Sequence, residues 1–175
     1  MAYRVIVADI DESIRPGGDV GEYVCRMARE KALAVHQRDG VTVAVLGADT
    51  AVVVNGLVLG KPVNREDAIR MLESLSGRTH EVWSAVALVS PGGGLRQRLN
   101  ITRVTFSELD RAWIESYCDS GEPMDKAGAY GVQGIAAQKI SHMEGSYSGV
   151  MGLPLHETAE ILQAAGVLNK ASAAR

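Results

Sequence analysis

The chain has 175 residues, of which 46% are hydrophobic and 22% are charged, and its formal net charge is −3. A chain of this length suits one domain, or two lobes that share a core, and buries about 70% of its unfolded surface without disulfides. The negative charge argues against a general nucleic-acid binder, whose binding surface is basic, but it permits a nucleotide substrate held by a few lysines.

The sequence also lacks the patterns typical of metal-binding cysteines and histidines and of membrane segments. Cys25 and Cys118 lie far apart in the sequence and form no CxxC pair, and the four histidines are scattered, so we expect reduced thiols and no zinc site. No hydrophobic run is long enough to span a membrane, and no basic segment precedes a hydrophobic one at the N-terminus. We therefore expect a cytoplasmic protein that binds neither membrane nor nucleic acid.

The hydrophobic pattern alternates between a period of two and a period of 3.6, which predicts a mixed α/β fold. The predicted strands cover residues 4–11, 41–46, 81–89, 95–106 and 135–140, and residues 51–59 form a hairpin that turns at Asn55-Gly56. The predicted helices cover residues 20–35, 65–76 (capped by Asn64), 111–119 and 155–165. Residues 1–168 are expected to form a single domain, followed by a polar tail over 169–175.

The segment 125–134 is rich in glycine and poor in side chains that could fill a core. It reads Asp-Lys-Ala-Gly-Ala-Tyr-Gly-Val-Gln-Gly and follows a predicted helix. Glycines at this density allow positive φ angles and close approach of the backbone, and loops of this kind often bind ligands. The alternative is a plain glycine turn.

Three carboxylates end the first predicted strand. A period of two places Asp9 and Asp11 on one face, and Glu12 leaves at the strand end. Together they could form a ligand set for a divalent cation. The alternative is a solvated acidic turn.

A lysine interrupts the hydrophobic face of the first predicted helix. Lys31 lies within a stripe of hydrophobic residues, which are Val20, Val24, Met27, Ala28 and Val35. Such a lysine either extends past the hydrophobic surface to solvent or points its amine into a site. The nearby carboxylates favour the second alternative.

Asp49 and Lys61 are further candidates. Asp49 follows the hydrophobic predicted strand 41–46, and the carboxyl end of a buried strand often faces a ligand. Lys61 lies between the predicted hairpin and the next helix. Each also has a simpler explanation, Asp49 as a turn former and Lys61 as a surface charge. Carboxylates and lysines without a histidine or cysteine nucleophile favour metal-assisted phosphate chemistry.

Seven strings in this order and spacing resemble the Maf family of nucleoside triphosphate pyrophosphatases, and together they cover residues 7–165. The strings are Asp9-Ile10-Asp11-Glu12, Arg29-Glu30-Lys31-Ala32, Gly47-Ala48-Asp49-Thr50, Gly60-Lys61-Pro62, Leu75-Ser76-Gly77-Arg78-Thr79-His80-Glu81-Val82, the segment 125–134, and Glu144-Gly145-Ser146-Tyr147 followed by residues 150–155. The resemblance implies a two-lobed α/β fold, like that of inosine triphosphate pyrophosphatase, around a long curved mixed sheet with a central cleft. It also implies hydrolysis between the α and β phosphates, assisted by Mg²⁺ or Mn²⁺, and we expect a homodimer.

The resemblance assigns roles by position. It implies that Asp49 activates water, that Glu12 and Asp49 bind the metal, and that Lys31 and Lys61 face the phosphates. It also implies that Thr50 and Gln133 occupy positions that select the base. Asp125 and Lys126, from the glycine-rich segment, are additional cleft candidates. Thr50 and the 125–134 string resemble the dTTP/UTP branch of the family, and a glutamine amide can satisfy a uracil or thymine edge.

Two other functions stay open at this stage. One is the 7-methyl-GTP branch, which Thr50 and Gln133 disfavour. The other is a nucleotide-binding or division-regulating protein without turnover. The family's opening strand and Ser-x-Ser-Pro-Arg-Arg segment have no counterpart in the sequence, whose Arg4, Arg15 and Arg29 stand in other contexts. We therefore expect weak hydrolysis that rises when this segment is restored.

Overall fold

A computed structural model describes residues 2–13, 18–38 and 41–168 of the chain. The helices in these ranges are α1 (Val20–His36), α2 (Arg65–Leu75), α3 (Arg111–Asp119), α4 (Tyr147–Val150) and α5 (Leu155–Ala164). The strands are β1 (Val45–Val54), β2 (Leu57–Leu59), β3 (Thr79–Val89), β4 (Leu95–Phe106) and β5 (Ile140–Glu144). None of the helices in the described ranges combines the length and hydrophobicity needed to cross a bilayer.

The five strands form one sheet in the order β2-β1-β3-β4-β5. Strands β1 and β2 pair antiparallel, with Val52 opposite Leu59, and β4 and β5 also pair antiparallel, with Val104 opposite Met143. The hairpin turns where the sequence predicts it, since Asn55 and Gly56 both have positive φ angles, of 51° and 76°. The predicted α/β class is confirmed.

The predicted strand over residues 4–11 is wrong. Residues 2–13 lie in the described part of the chain but belong to no strand or helix. The side chains of Tyr3, Val5 and Val7 are each more than 80% exposed. A period of two forms a strand only when a neighbouring strand pairs with its backbone and a core receives one face, and neither condition is met here. Asp9 and Asp11 therefore share no strand face.

The break predicted between the strand 41–46 and the hairpin 51–59 is also wrong, because β1 runs without interruption from Val45 to Val54. Gly47 reads in the sequence as the start of a loop. In the structure it lets β1 approach α1: a Cβ atom at Gly47 would overlap the carbonyl oxygen of Ala28 and lie 2.7 Å from the Ala32 nitrogen. Gly47 is thus a strand glycine that permits close packing, and Asp49 lies within a strand, not beyond its end.

The strand predicted over residues 135–140 begins later than expected. Ile135–Lys139 forms a 3₁₀ turn, and β5 starts at Ile140. The backbone N–H of Ile135 donates to the carboxylate of Glu122 over 3.1 Å, so a side chain occupies the donor that a strand partner would need. Other elements end within a few residues of their predicted limits, including α1, α2, α3, β4 and α5.

The chain divides into two compact units. Among the described residues, unit 1 contains those within 1–49, 85–99 and 153–175, and unit 2 contains residues 50–84 and 100–152. Unit 1 buries a cluster of hydrophobic residues formed by Val86, Leu88, Ile161 and Leu162. The core of unit 2 is larger and includes Leu72, Leu75, Val104, Phe106 and Tyr117. The single domain over 1–168 stays a prediction, and the polar tail 169–175 lies outside the described residues.

His80 is buried in unit 2 and is only 2% exposed. Its ring stacks on Phe106 with a centroid distance of 5.6 Å, and its Nε2 atom forms a 2.8 Å hydrogen bond with the hydroxyl of Tyr130. Its Nδ1 atom has no partner among the described residues. Burial lowers the pKa of His80 from 6.5 to about 4, so the folded protein holds it neutral.

This burial predicts a loss of stability in acid. Because the folded pKa of His80 lies below its unfolded value, the contribution is complete above pH 6.5 and is lost as the pH falls towards about 4. The loss should reach about 3 kcal/mol. Urea unfolding of the wild type and of His80→Phe, between pH 6.5 and about 4, measures this loss. The free energy of unfolding of the variant should fall over this range by about 3 kcal/mol less than that of the wild type. His156→Gln, which changes an exposed histidine, should keep the wild-type slope; equal slopes for His80→Phe and wild type would contradict the prediction.

Candidate functional site

Three charged side chains of unit 1 meet in what we call the ammonium–carboxylate cluster, formed by Glu12, Lys31 and Asp49. The Lys31 Nζ atom lies 2.7 Å from Asp49 Oδ1 and 2.8 Å from Glu12 Oε1. The side chain of Asp49 is 11% exposed and that of Lys31 is 23% exposed. Lys31 thus contacts two carboxylates that come from distant parts of the sequence, and it does not simply extend to solvent.

Helix α1 positions this cluster. Asp19 caps the helix by accepting a 3.0 Å hydrogen bond from the backbone N–H of Glu22. The hydrophobic face predicted from the sequence is buried, with Val24, Met27, Ala28 and Val35 at its centre. Burial of this face fixes the rotation of the helix and hence the direction of Lys31.

Two side chains of α1 hold the segment that carries Glu12. The Tyr23 hydroxyl donates to the backbone carbonyl of Glu12 over 3.2 Å, and the Arg26 guanidinium donates to the carbonyl of Ser13 over 2.7 Å. Neither residue is predicted from the sequence. They hold an irregular segment against a helix, and no sequence motif marks this function.

The cluster changes the acidity of its members. Burial raises the pKa of the Asp49 carboxyl above its ordinary value, although the Lys31 ammonium opposes this effect. Burial disfavours the charged form of Lys31, but its hydrogen bonds to Asp49 and Glu12 outweigh that penalty and raise its pKa. A buried carboxylate of raised pKa beside a fixed cation can accept a proton from water in a reaction near neutral pH.

The metal set of three carboxylates, predicted from Asp9, Asp11 and Glu12, is not found. Asp9 is exposed, and the Asp11 carboxylate binds the backbone N–H and hydroxyl of Ser13. Among residues 2–13, 18–38 and 41–168, no three His, Cys, Asp or Glu side chains gather as metal ligands. Glu12 and Asp49 remain as two carboxylates on one ammonium.

Unit 2 contains a cavity of about 480 Å³, a volume typical of small-molecule sites. All its lining residues belong to residues 50–84 and 100–152 of unit 2. It brings together four of the residues predicted from the sequence, which are Thr50, Lys61, Lys126 and Gln133. Much of the remaining wall is hydrophobic or backbone, including Val52, Val82, Tyr130, Val150 and Gly152. Lys61 and Gln133 are exposed in this wall.

The glycine-rich segment is built on Glu122, a residue that the sequence analysis did not select. The Glu122 carboxylate accepts 2.9 Å and 3.1 Å hydrogen bonds from the Tyr117 hydroxyl and the Ile135 backbone. A Cβ atom at Gly134 would overlap this carboxylate, and one at Gly131 would lie 2.8 Å from the Lys126 side chain. These two glycines therefore make room for charged side chains.

Asp125 and Lys126 pair with each other. The Lys126 Nζ atom lies 2.6 Å from Asp125 Oδ1 and donates to the Glu122 carbonyl over 2.9 Å. The hydrogen bond from Lys126 lowers the pKa of the exposed Asp125 carboxyl. Asp125 is not among the residues that line the cavity.

The Thr50 hydroxyl has a buried neighbour. Thr50 Oγ1 lies 3.0 Å from Ser84 Oγ, and Ser84 is 0% exposed and donates to the Gly149 carbonyl over 2.6 Å. Sequence reasoning missed Ser84, although a lone hydroxyl next to the hydrophobic run Ala85-Val86-Ala87-Leu88-Val89 could have drawn attention to it.

Comparison with known proteins assigns the chain to a family. The family described as "Maf-like protein" matches residues 1–165 of the chain. The chain belongs to the Maf family. The match includes both the ammonium–carboxylate cluster and every residue that lines the cavity, so the two sites described above are parts of a Maf protein.

Relatives of this Maf protein carry a more specific name. A protein of Bordetella parapertussis named dTTP/UTP pyrophosphatase is 52% identical over 161 residues, which cover 90% of this chain and 77% of the relative. Proteins of the same name from Hahella chejuensis and Xanthomonas campestris are 49% and 48% identical over 167 residues, and each match covers 94% of this chain. These alignments cover 83% and 88% of the relatives.

Proposed function

We propose that this Maf protein is a nucleoside triphosphate pyrophosphatase that hydrolyses dTTP and UTP to the monophosphate and pyrophosphate. The observation that carries the proposal is the 48–52% identity, over at least 90% of the chain, with relatives named dTTP/UTP pyrophosphatase. The structure supports it with a buried carboxylate beside a fixed ammonium and with a cavity large enough for a base and sugar.

The proposed chemistry is the attack of water on the α phosphorus. Asp49 accepts the proton from water, a new P–O bond forms at the α phosphorus, and the bond between the α phosphorus and the bridging oxygen breaks to release pyrophosphate. The raised pKa of Asp49 makes it a stronger base than an exposed aspartate. Lys31 holds the Asp49 carboxylate in position, and Lys31 and Lys61 offer positive charge to phosphate oxygens.

A divalent cation, Mg²⁺ or Mn²⁺, fits the donor set of Glu12 and Asp49. Mg²⁺ is usually held by one or two carboxylates together with water and substrate phosphates, and these two side chains offer oxygen ligands only. When bound, the cation would neutralise phosphate charge and polarise the scissile bond. Lys31 contacts Oε1 of Glu12 and Oδ1 of Asp49, so the second oxygen of each carboxylate would be the one to hold the cation.

The remaining residues are assigned to the nucleotide. Thr50 and Gln133 line the cavity and would contact the base, since both offer neutral hydrogen-bonding groups. Lys126 lines the same cavity and carries the charge needed near a phosphate, with Asp125 holding its amine. The association of two chains into a homodimer stays a prediction, and light scattering of the purified protein tests it.

Pyrophosphate release from dTTP, UTP, CTP, GTP and 7-methyl-GTP tests this function. We expect dTTP and UTP to be hydrolysed fastest, with the monophosphate and pyrophosphate as the only products. A chelator should abolish turnover, and Mg²⁺ or Mn²⁺ should restore it, because neutralisation of the phosphates depends on the cation. Tight binding of dTTP without any release of pyrophosphate would indicate the non-catalytic alternative, and preference for 7-methyl-GTP would indicate the purine branch. Full activity in chelator would contradict the metal proposal alone.

A further inference from the structure

A chain of hydrogen bonds connects Thr50 in the cavity wall to the interior of unit 2. The Ser84 Oγ atom lies 2.6 Å from the Gly149 carbonyl oxygen and 3.0 Å from Thr50 Oγ1. A hydroxyl has a single proton, and a carbonyl oxygen can only accept. Ser84 therefore uses its proton on Gly149, and the hydrogen bond between Ser84 and Thr50 must use the proton of Thr50. This leaves the Thr50 oxygen with lone pairs, and no proton, for any other partner.

The Gly149 carbonyl is a fixed acceptor. It also accepts a 2.9 Å hydrogen bond from the backbone N–H of Gly152, and the Gly149 N–H donates to Ser146 Oγ over 3.0 Å. A Cβ atom at Gly149 would lie 3.0 Å from the Asn100 side chain, so the site admits no larger residue without adjustment. Because Ser84 is fully buried, water does not offer its hydroxyl another acceptor.

We propose that Ser84 is a positioning residue that fixes the Thr50 hydroxyl as a hydrogen-bond acceptor in the cavity, so that the site selects a base that presents a donor. This inference rests on the proposed function. Uracil and thymine carry an N–H group at ring position 3, whereas cytosine has an unprotonated acceptor nitrogen there. A hydroxyl that can only accept forms a hydrogen bond with the N–H of uracil or thymine. Against the ring nitrogen of cytosine, it places one lone pair opposite another.

Gln133 cannot make this distinction by itself. Its side chain is exposed, and its amide offers an oxygen acceptor at one end and an NH₂ donor at the other. Rotation by half a turn adapts it to either base edge. A group of fixed polarity makes this distinction, and the buried Ser84–Gly149 hydrogen bond gives Thr50 that property. A site built in this way rejects an unmatched base because buried polar groups are left unpaired.

The test compares UTP with CTP in four proteins: wild type, Ser84→Ala, Thr50→Val and the double variant. Removal of the Ser84 hydroxyl frees the Thr50 proton to point into the cavity, so the UTP/CTP ratio of kcat/KM should fall about tenfold, the size of one neutral hydrogen bond. The change should lie mainly in KM, since Ser84 does not touch the phosphates in this proposal. In the Thr50→Val background, the Ser84 substitution should leave the ratio unchanged.

Controls separate selectivity from stability. Ser84→Thr keeps a hydroxyl and should therefore keep the wild-type UTP/CTP ratio. If Ser84 had only a structural role, the ratio would not depend on the presence of this hydroxyl. Ser74→Ala removes a hydroxyl that likewise donates over 2.6 Å to a backbone carbonyl, in α2, and should leave the ratio unchanged. An unchanged ratio in Ser84→Ala, or an equal drop in both backgrounds, overturns the inference. Failure of the proposed function looks different, because the wild type would then release no pyrophosphate from UTP.

Discussion

Replacement of Asp49 by asparagine should lower kcat for dTTP by at least about 10²-fold, because the substitution keeps the shape of the side chain and removes the proton acceptor. The loss should be largest in kcat and not in KM, since the lysines that would face the phosphates are unchanged. Steady-state pyrophosphate release at saturating Mg²⁺ measures both constants. We expect the fold to survive, because Lys31 retains its 2.8 Å contact with Glu12.

A matched control is available for Asp49. Asp119→Asn removes an exposed carboxylate that lies 2.7 Å from the guanidinium of Arg65 and that belongs neither to the ammonium–carboxylate cluster nor to the residues that line the cavity. It should retain wild-type kinetics, because Asp119 lines neither site and an exposed ion pair contributes little to stability. Full activity of Asp49→Asn would remove Asp49 from the mechanism. A loss of activity that is accompanied by a large fall in melting temperature would instead indicate misfolding.

The second large effect is expected for Lys31→Met. From the sequence alone this change could stabilise the protein, because it extends a hydrophobic face of α1. The structure predicts the opposite: the substitution removes the ammonium between Glu12 and Asp49 and leaves two carboxylates facing each other. We expect a loss of about 10²-fold in kcat, the size found when one charge-stabilising donor is removed. The unfolding free energy should fall by about 2 kcal/mol, reduced from the cost in a dry interior because Glu12 is largely exposed.

The pH dependence of Lys31→Met gives an independent measurement. Lys31 opposes the rise that burial causes in the pKa of Asp49, so its removal should raise that pKa further. A base acts only when deprotonated, and the acid limb of the kcat–pH profile should therefore move to higher pH. Lys139→Met, which removes an amine that lies 5.4 Å from the ring centre of Trp113, should leave the limb unchanged. Unchanged kinetics together with a higher melting temperature in Lys31→Met would support the purely structural interpretation of this lysine.

Several elements could be predicted from the sequence because their causes are local. Asn64 caps α2 as expected, accepting a 2.8 Å hydrogen bond from the Asp67 backbone N–H, and Gly77 follows the helix with a φ of 64°. The Asn55-Gly56 pair forms the predicted hairpin turn. The buried stripe on α1 follows from a period of 3.6. In each case residues within a few positions of one another determine the conformation.

Other features depend on partners that are distant in the sequence. The period of two over residues 4–11 predicts a strand, but a strand needs a neighbour, and Tyr3, Val5 and Val7 remain exposed. Gly47 looks like a loop residue until helix α1 is seen packed against its backbone. The role of Glu122 likewise depends on a distant partner, because its carboxylate accepts a hydrogen bond from the backbone N–H of Ile135, thirteen residues later.

The sequence by itself determined the α/β class, most of the helices and the residue types needed for phosphate chemistry, since these follow from periodicity, local capping and composition. Only the tertiary structure brought Lys31 into contact with Glu12 and Asp49, because those contacts span 19 and 18 positions of the chain. It also decided the direction of the Thr50 hydroxyl, which depends on Ser84 and, through it, on a carbonyl 65 residues further along. The physical reason is that a hydrogen bond is specific in distance and direction, and a one-dimensional pattern contains neither for groups that meet only on folding.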